Sequence, residues 1–374
     1  MSGKLSNLNV LERQDAQVGR DMEPSTSSSA SPSPETGSRP QALSITQRLS
    51  QIKISKRAKL WGKIGISIAL FASLFLFGKV DLSKSIEVAI KANRWYLAAT
   101  MALFLASTFL NAHRWQIFAS AVGLNKSLLQ LVQYCFVGLF FNLFLPSTVG
   151  GDFSRCYYLS KGTGKYANAF YSVMADRTVG LAVLFLFASV GMLFGPAGSL
   201  PLTLKVPILA GTLGVFSIVP FLPVLSRRFL GAESWLSRQF NDSPAKVYWE
   251  DRGLIATTLF LSVVMQVVIV GCHIGVGMAL GLTQIPIWYY FVFYPSVAVL
   301  GFVTPSFNGI GIREWAYTYF LTLTGVDKAH ALTYAIMWLG LNTLSSLVGG
   351  LVYLLGHFKI SNQEKELFES QALQ

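Results

Sequence analysis

The sequence predicts an all-α polytopic membrane helix bundle of about eight transmembrane helices, with two helix breaks or re-entrant segments. Three observations carry this. Only 13% of the 374 residues are charged while 52% are hydrophobic, against about 25% charged in soluble domains. Mean hydropathy is +0.48. The apolar residues gather into runs that suit a hydrocarbon core, which takes roughly 20 residues per helix. A plain cytosolic enzyme is excluded on these grounds. The formal charge of +12 would raise the question of nucleic acid in a soluble chain. Here anionic headgroups, which attract Lys and Arg beside membrane spans, account for it, and no nucleic-acid partner is expected. Cys135, Cys156 and Cys272 lie far apart without C-x-x-C spacing, so neither a disulfide framework nor a thiolate metal site is suggested.

Taken in chain order, residues 1–47 read as a disordered Ser/Pro-rich tail, because such a composition buries too little apolar surface to offset the entropy of ordering. The first 40 residues hold no apolar core, so no secretory signal peptide is expected. Residues 48–59 form a basic segment with Arg48, Lys53, Lys56 and Arg57 among Leu49, Ile52 and Ile54. It reads either as an interfacial helix on acidic lipid or as the positive flank of the first span. The transmembrane domain is expected over 60–356, with apolar runs at 60–78, 95–112, 128–145, 178–195, 204–224, 254–280, 286–303 and 330–356. A further apolar segment, Trp315 to Val326, is too short to cross and reads as half a helix. Residues 357–374 form a short polar tail. Lys and Arg fall on both sides of the spans, so the positive-inside count leaves orientation open. The expectation is a multi-pass protein of the cell membrane with cytoplasmic termini. Trp61, Trp95, Trp115 and the Trp288-Tyr289-Tyr290 group are expected as interfacial anchors. Gly271 and Gly275 have the G-x-x-x-G spacing that permits close helix packing.

Function is expected where glycine, proline and charge interrupt the apolar pattern. One such stretch runs from Leu145 to Arg155 and the other from Thr304 to Glu314. Each begins Pro-Ser, at Pro146 and Pro305, has Gly four residues later, at Gly150 and Gly309, and ends with an acid and an Arg. Proline stops the incoming helix and glycine permits the turn, so a new helix can start. Helix starts expose N–H groups and a positive dipole end that hold anions. Paired broken helices are a device of transporter binding sites. Four apolar runs separate the two stretches and put them on the same side, whereas an inverted repeat puts them on opposite sides. Either the repeat is parallel or a span is miscounted. The competing reading is a pair of surface turns.

Asp176 and Arg177 interrupt an apolar stretch, which is costly unless they face a cavity or a partner. An anionic-headgroup site is therefore expected from Arg155, Arg177 and Arg313 with the backbone of Gly150, Gly151, Gly309 and Gly311. Asp152, Asp176 and Glu314 are expected as charge partners. The competing reading is a set of ion pairs that staple helices. His273, Gln266, Asn142 and Asn342 are expected as hydrogen-bonders between helices. No catalytic residue, cofactor or metal is expected, since there is neither H-E-x-x-H nor G-x-S-x-G and the four histidines are scattered.

At these residues the sequence resembles the flippase-like family named after the transmembrane region of lysylphosphatidylglycerol synthase. The matching elements are Asn142, Leu145-Pro146-Ser147, Gly150-Gly151-Asp152, Arg155, Asp176-Arg177 with Gly180-Leu181, Pro305-Ser306, Gly309, Gly311, Arg313-Glu314 and Gly349-Gly350. The resemblance implies an integral membrane protein of about eight helices that handles lipids, in some members by moving an aminoacylated phospholipid between leaflets. Other relatives are associated with polyisoprenoid-linked sugars or hopanoid metabolism. The synthases carry a soluble aminoacyl-transferase domain after the membrane part. Only 18 residues follow Gly356 here, so lysyl transfer is not expected.

The leading expectation is a lipid translocase or lipid-binding transporter for an anionic phospholipid or a polyisoprenoid-phosphate-linked lipid. The alternatives are a membrane glycosyltransferase with a lipid-phosphate donor, and a non-catalytic accessory subunit that recruits a partner enzyme of lipid or glycan synthesis. Membrane lipids are the expected partners, and oligomeric state is left open.

Overall fold

The computed structural model describes residues 82–144, 150–194, 202–303 and 309–356, and no strand occurs among them. The expected tails, the basic segment, the span at 60–78 and both Pro-Ser pairs, with Pro146 and Pro305, lie outside the described residues. The helices are α1 (Leu82–Lys91), α2 (Arg94–Ala121), α3 (Leu128–Phe144), α4 (Gly150–Ser160), α5 (Tyr166–Phe194) and α6 (Leu202–Ile218). A short 3-10 turn leads on to α7 (Leu222–Leu230), followed by α8 (Trp235–Asn241), α9 (Val247–Glu250), α10 (Arg252–Ala279), α11 (Ile287–Val303), α12 (Ile312–Thr322) and α13 (Lys328–Leu355).

Local chemistry sets the starts of the long helices. The Asn93 side chain accepts from the Trp95 N–H to cap α2, Asp251 accepts from the Leu254 N–H to cap α10, and Asp327 accepts from the Ala329 N–H to cap α13. Each cap satisfies a backbone donor that the first turn leaves orphaned.

Among the described residues five helices are long and apolar enough to cross a membrane: α2, α5, the continuous run Lys205–Leu230 through α6 and α7, α10, and α13. Two of the expected apolar runs, 128–145 and 286–303, contain α3 and α11, which are the first arms of helical hairpins. In the first hairpin the Tyr134 and Tyr158 rings stack at 5.7 Å, a β-carbon at Gly138 would sit 3.2 Å from the Arg155 side chain, and Asn142 Oδ1 accepts from the Gly151 N–H at 2.7 Å. In the second, the Tyr289 hydroxyl donates to the Phe320 carbonyl at 2.8 Å, the Phe293 and Tyr317 rings lie 6.1 Å apart, and Gly301 abuts Arg313. In both series one residue number falls as the other rises, so α3 and α4 run antiparallel, as do α11 and α12. Each 17-residue arm is about 25 Å long, enough to reach deep into a hydrocarbon core of about 30 Å. Each is followed by an 11-residue return arm. The expected half helix at 315–326 is the return arm α12.

The hairpins belong to an internal repeat. Helices α2 to α5 have 28, 17, 11 and 29 residues, and helices α10 to α13 have 28, 17, 11 and 28. The first helices of the two halves pack antiparallel: Gly275 against Thr100, Gly271 against Leu103, and Ser262 against Arg114. Gly271 and Gly275 thus act as the close-packing pair their spacing suggests, and a β-carbon at Gly275 has no room beside Thr100. The hairpins are exchanged, with α3 packing on α13 and α11 on α5. Antiparallel first helices make the repeat inverted. Three helices long and apolar enough to cross, α5, α6–α7 and α10, separate the hairpins, an odd number that suits the opposite orientations of α2 and α10. The fourth separating run, 286–303, is the first arm of the second hairpin.

Interior aromatics correct part of the anchor expectation. Trp95 and Trp288 are exposed, but Trp115, Tyr289 and Tyr290 are buried. The Trp115 indole donates to Ser172, the Tyr289 hydroxyl donates to the Phe320 carbonyl, and the Tyr290 ring meets Phe293.

Candidate functional site

A cavity of about 260 Å³ lies where the two hairpins converge. Asn142, Gly151, Asp152 and Arg155 line it from the first hairpin, Tyr294, Arg313 and Tyr317 from the second. Arg177 of α5, Asn111 of α2, and Trp338 and Asn342 of α13 complete the polar wall. The three arginines expected from sequence therefore share one cavity.

The first half builds a closed ionic network. Asp176 of α5 accepts from Arg114 Nε at 2.8 Å and from Arg155 Nη2 at 3.0 Å. Asp152, the third residue of α4, takes both Nε and Nη2 of Arg177, at 2.8 and 2.9 Å. Its contact with Arg155 Nη1 is longer, at 3.5 Å. Arg114 also reaches Ser262 of α10 at 2.8 Å and Asn111 at 3.2 Å. The Arg155 guanidinium lies 4.1 Å above the Trp115 ring, whose indole N–H donates to Ser172. Arg114, Asp152, Arg155 and Asp176 are at most 5% exposed, so each charge depends on its partners for the solvation it has lost. Charge-assisted bonds in low dielectric are strong only when the set is complete. Even here, Arg155 Nε has no hydrogen-bond partner.

The second half is built differently. Arg313, the second residue of α12, has a buried Nε with no partner, and no carboxylate pairs with its guanidinium among the described residues. Glu314, one of the three expected charge partners of the arginines, forms no salt bridge with it among the described residues. It instead turns back, and its Oε2 accepts from the Gly311 N–H at 2.6 Å, closing the first turn of α12. Gly309 and Gly311 adopt φ of 77° and 89°, a backbone region that side chains rarely enter. At Gly301 and Gly309 a β-carbon would sit 2.6 Å from Arg313 Nε, so both glycines make room for the guanidinium.

The glycine N–H groups correct another expectation. Gly151 donates to Asn142 and Gly311 to Glu314, so two of the four proposed backbone donors are already occupied.

Behind Arg313 lies a neutral network. His273 of α10 is fully buried, its Nδ1 2.9 Å from the Ile269 carbonyl and its Nε2 2.9 Å from the Tyr317 hydroxyl. Its ring sits between Trp338 at 3.7 Å and Tyr294 at 4.2 Å. The Tyr294 hydroxyl donates to Gln266 Oε1, and the Tyr334 hydroxyl to the His273 carbonyl. His273 and Gln266 thus bond between helices as expected, while the Asn342 amide bonds within α13, to Trp338.

The two halves correspond position by position. Arg155 and Tyr317 are each the sixth residue of a return arm, Trp115 and His273 the twenty-second of a first helix, Asp176 and Trp338 the eleventh of a last helix. One half holds cation, indole and carboxylate where the other holds phenol, imidazole and indole.

Sequence reasoning missed Arg114, Asn111 and Ser262. A signal was present: nothing between 112 and 121 breaks a helix, so α2 runs on past the apolar stretch and carries Arg114 inward. Among the described residues no group of three or more His, Cys, Asp or Glu is arranged to hold a metal ion.

The family model of the lysylphosphatidylglycerol synthase transmembrane region matches residues 61–350. The chain is 23% identical over 157 residues to a UPF0104 membrane protein of Pyrococcus horikoshii, covering 41% of this chain and 45% of that protein. It is 27% identical over 141 residues to a UPF0104 membrane protein of Methanocaldococcus jannaschii, covering 37% and 40%. The matched stretch thus spans less than half the length of each of these relatives. No solved structure matches the chain.

Proposed function

The chain belongs to the lysylphosphatidylglycerol synthase transmembrane-region family, and from that premise we propose that it moves an anionic phospholipid or polyisoprenoid-phosphate-linked lipid between leaflets. The observation that carries the proposal is Arg313. A guanidinium with an unpaired, buried Nε on the wall of a cavity that also presents Arg177 and Arg155, with Asp152 as the one lining acid, calls for an anion. A phosphate oxygen near Arg313 and Arg177 would supply the missing acceptor, while the hydrocarbon chains stay in the bilayer.

The inverted repeat suits the task. Its oppositely oriented hairpins meet at one site, so a modest rocking of one half against the other would expose that site to each leaflet in turn. The reading includes a cell-membrane location with cytoplasmic termini, and membrane lipids as the partners.

The transferase alternative has less support. Asp152 and Asp176 are each held by two arginines, and Glu314 is held by its own helix start, so none of the three stands ready as a base. The accessory-subunit alternative, with a recruited partner enzyme, is met by deleting residues 1–59: a deletion that leaves lipid movement intact speaks against it.

Leaflet-resolved lipid movement in vesicles holding the purified protein tests the proposal. Arg313→Ala is expected to reduce the rate to that of protein-free vesicles, and Arg155→Ala to lower it strongly. Unchanged rates in both variants would overturn the reading.

A further inference from the structure

We infer that His273 takes up one proton when an anionic headgroup enters the cavity, so that the site's ligand is an anion together with a proton. This rests on the reading that the cavity binds such a headgroup. A buried ionisable side chain at membrane depth carries a functional question by default, and here the hydrogen-bond geometry answers it.

The Ile269 carbonyl can only accept, so the proton of the neutral ring sits on Nδ1. Nε2 is then a bare acceptor, and the Tyr317 hydroxyl must donate to it. Tyr317 also lines the cavity on the same helix as Arg313. While the imidazole is neutral, Tyr317 spends its only proton on the ring and turns lone pairs elsewhere, which does nothing to attract an anion.

Protonation reverses this bond. A proton arriving from cavity water binds Tyr317 Oη as the original hydroxyl proton passes to Nε2. The only bonds that change are O–H and N–H, and the net result is one proton taken up. The imidazolium now donates from both nitrogens, Tyr317 accepts from Nε2, and its own O–H is free to donate to an anionic oxygen beside Arg313.

The ring is fully buried, so its charge needs the entering anion, and the aromatic neighbours offset part of the remaining cost. The ring faces meet Trp338 at 3.7 Å and Tyr294 at 4.2 Å, and aromatic faces attract a desolvated cation. The groups around the ring are Tyr294 and Phe293 from α11, Tyr317 from α12, and Tyr334 and Trp338 from α13, none of them charged. Cys272 is its neighbour on α10. The charged groups on α12 are Arg313, which lines the cavity with Tyr317, and Glu314, which is bound to the Gly311 N–H. An anion that accepts from the Tyr317 hydroxyl beside Arg313 attracts a proton on the ring behind it, so anion and proton each favour the other. The corresponding node of the first half already holds a cation stacked on an indole, Arg155 on Trp115. A proton on His273 would give the second half a cation against an indole as well, with the cation at the position of Trp115 and the indole, Trp338, at that of Asp176.

The test uses the full chain in detergent with dihexanoyl phosphatidylglycerol, a phosphodiester of constant charge from about pH 8 to about pH 5, and the zwitterionic choline analogue as control. Affinity for the glycerol lipid is expected to rise as pH falls, by up to about tenfold per pH unit. His273→Gln and Tyr317→Phe are each expected to flatten that slope. Nitrogen-15 NMR of the unmutated protein is expected to move the His273 signals to the doubly protonated form on lipid addition, which keeps the test valid should a variant misfold. A flat slope, a slope retained in His273→Gln, or unshifted His273 signals with lipid bound would overturn the proton and leave the transport reading standing. No binding at any pH would overturn both.

Discussion

The two hairpins share a backbone plan and divide the chemistry. Each is a 17-residue arm followed by an 11-residue return, and each presents an acid at the third position of its return arm, Asp152 in one and Glu314 in the other. Asp152 clamps Arg177, whereas Glu314 caps its own helix. The first half is locked by interdependent buried charges. The second is held by aromatic packing and neutral hydrogen bonds and leaves one cation unspent. The comparison teaches that an inverted repeat need not have two equivalent ends: one half can serve as the frame and the other as the receptor.

If the first half is a charge-locked frame, removing its central anion must be the most damaging single change. Asp176→Asn leaves Arg114 and Arg155 facing an uncharged amide with almost no solvent, at 5% exposure each. Breaking a buried pair by losing one partner costs about 3–5 kcal/mol. The unfolding midpoint of the detergent-solubilised protein is expected to fall accordingly, and a loss under about 1 kcal/mol would place the frame elsewhere.

The seam between the halves ranks next. Gly275→Val inserts a branched side chain where even a β-carbon collides with Thr100. Overpacking of this kind costs about 1–3 kcal/mol, and the antiparallel crossing of α2 and α10 is expected to loosen. The same measurement checks it, with Gly340→Val as a matched control on α13, where nothing lies within 4 Å.

The helical membrane character and both breaks are legible in the sequence because hydropathy and Pro-Gly punctuation report directly on them. The number of crossings is not. Helices α3 and α11 are as apolar as true spans, and hydropathy measures the solvent around a helix without recording whether it emerges on the far side. Trp115, Tyr289 and Tyr290 are misread as anchors for a related reason: an aromatic near the end of an apolar run has the same composition whether it faces headgroups or the core. The three arginines are legible as a group because charge in an apolar stretch needs an explanation. Their division into clamped and unclamped is not, since it turns on whether Glu314 reaches sideways to Arg313 or backwards to Gly311. The repeat itself is hidden by its divergence, with Arg155, Trp115 and Asp176 standing opposite Tyr317, His273 and Trp338.

Glu314→Gln probes the other side of the comparison with a smaller effect. A glutamine carbonyl still accepts from the Gly311 N–H, so the helix start is retained with a weaker, uncharged bond. A loss of about 1 kcal/mol or less is expected. A loss matching that of Asp176→Asn would mean that Glu314 balances Arg313 after all, and the two halves would then be alike.

Arg313→Met should have the smallest effect on folding and among the largest on transport. A cation with a buried, unpartnered Nε and no salt bridge among the described residues gains little from the protein, and its stem packs beside Gly301 and Gly309. A thioether of similar length keeps the packing and removes the desolvation cost, so the unfolding midpoint is expected to stay level or rise, as when hydrophobic groups replace imperfectly compensated buried charges. The same change in the first half, Arg155→Met, strips Asp176 of one partner and Trp115 of its cation, and a clear drop is expected there. Lipid movement should fail in both. If Arg313→Met destabilises the protein as much as Arg155→Met does, the guanidinium is already satisfied without a ligand, and the second hairpin is a second frame with no receptor in it.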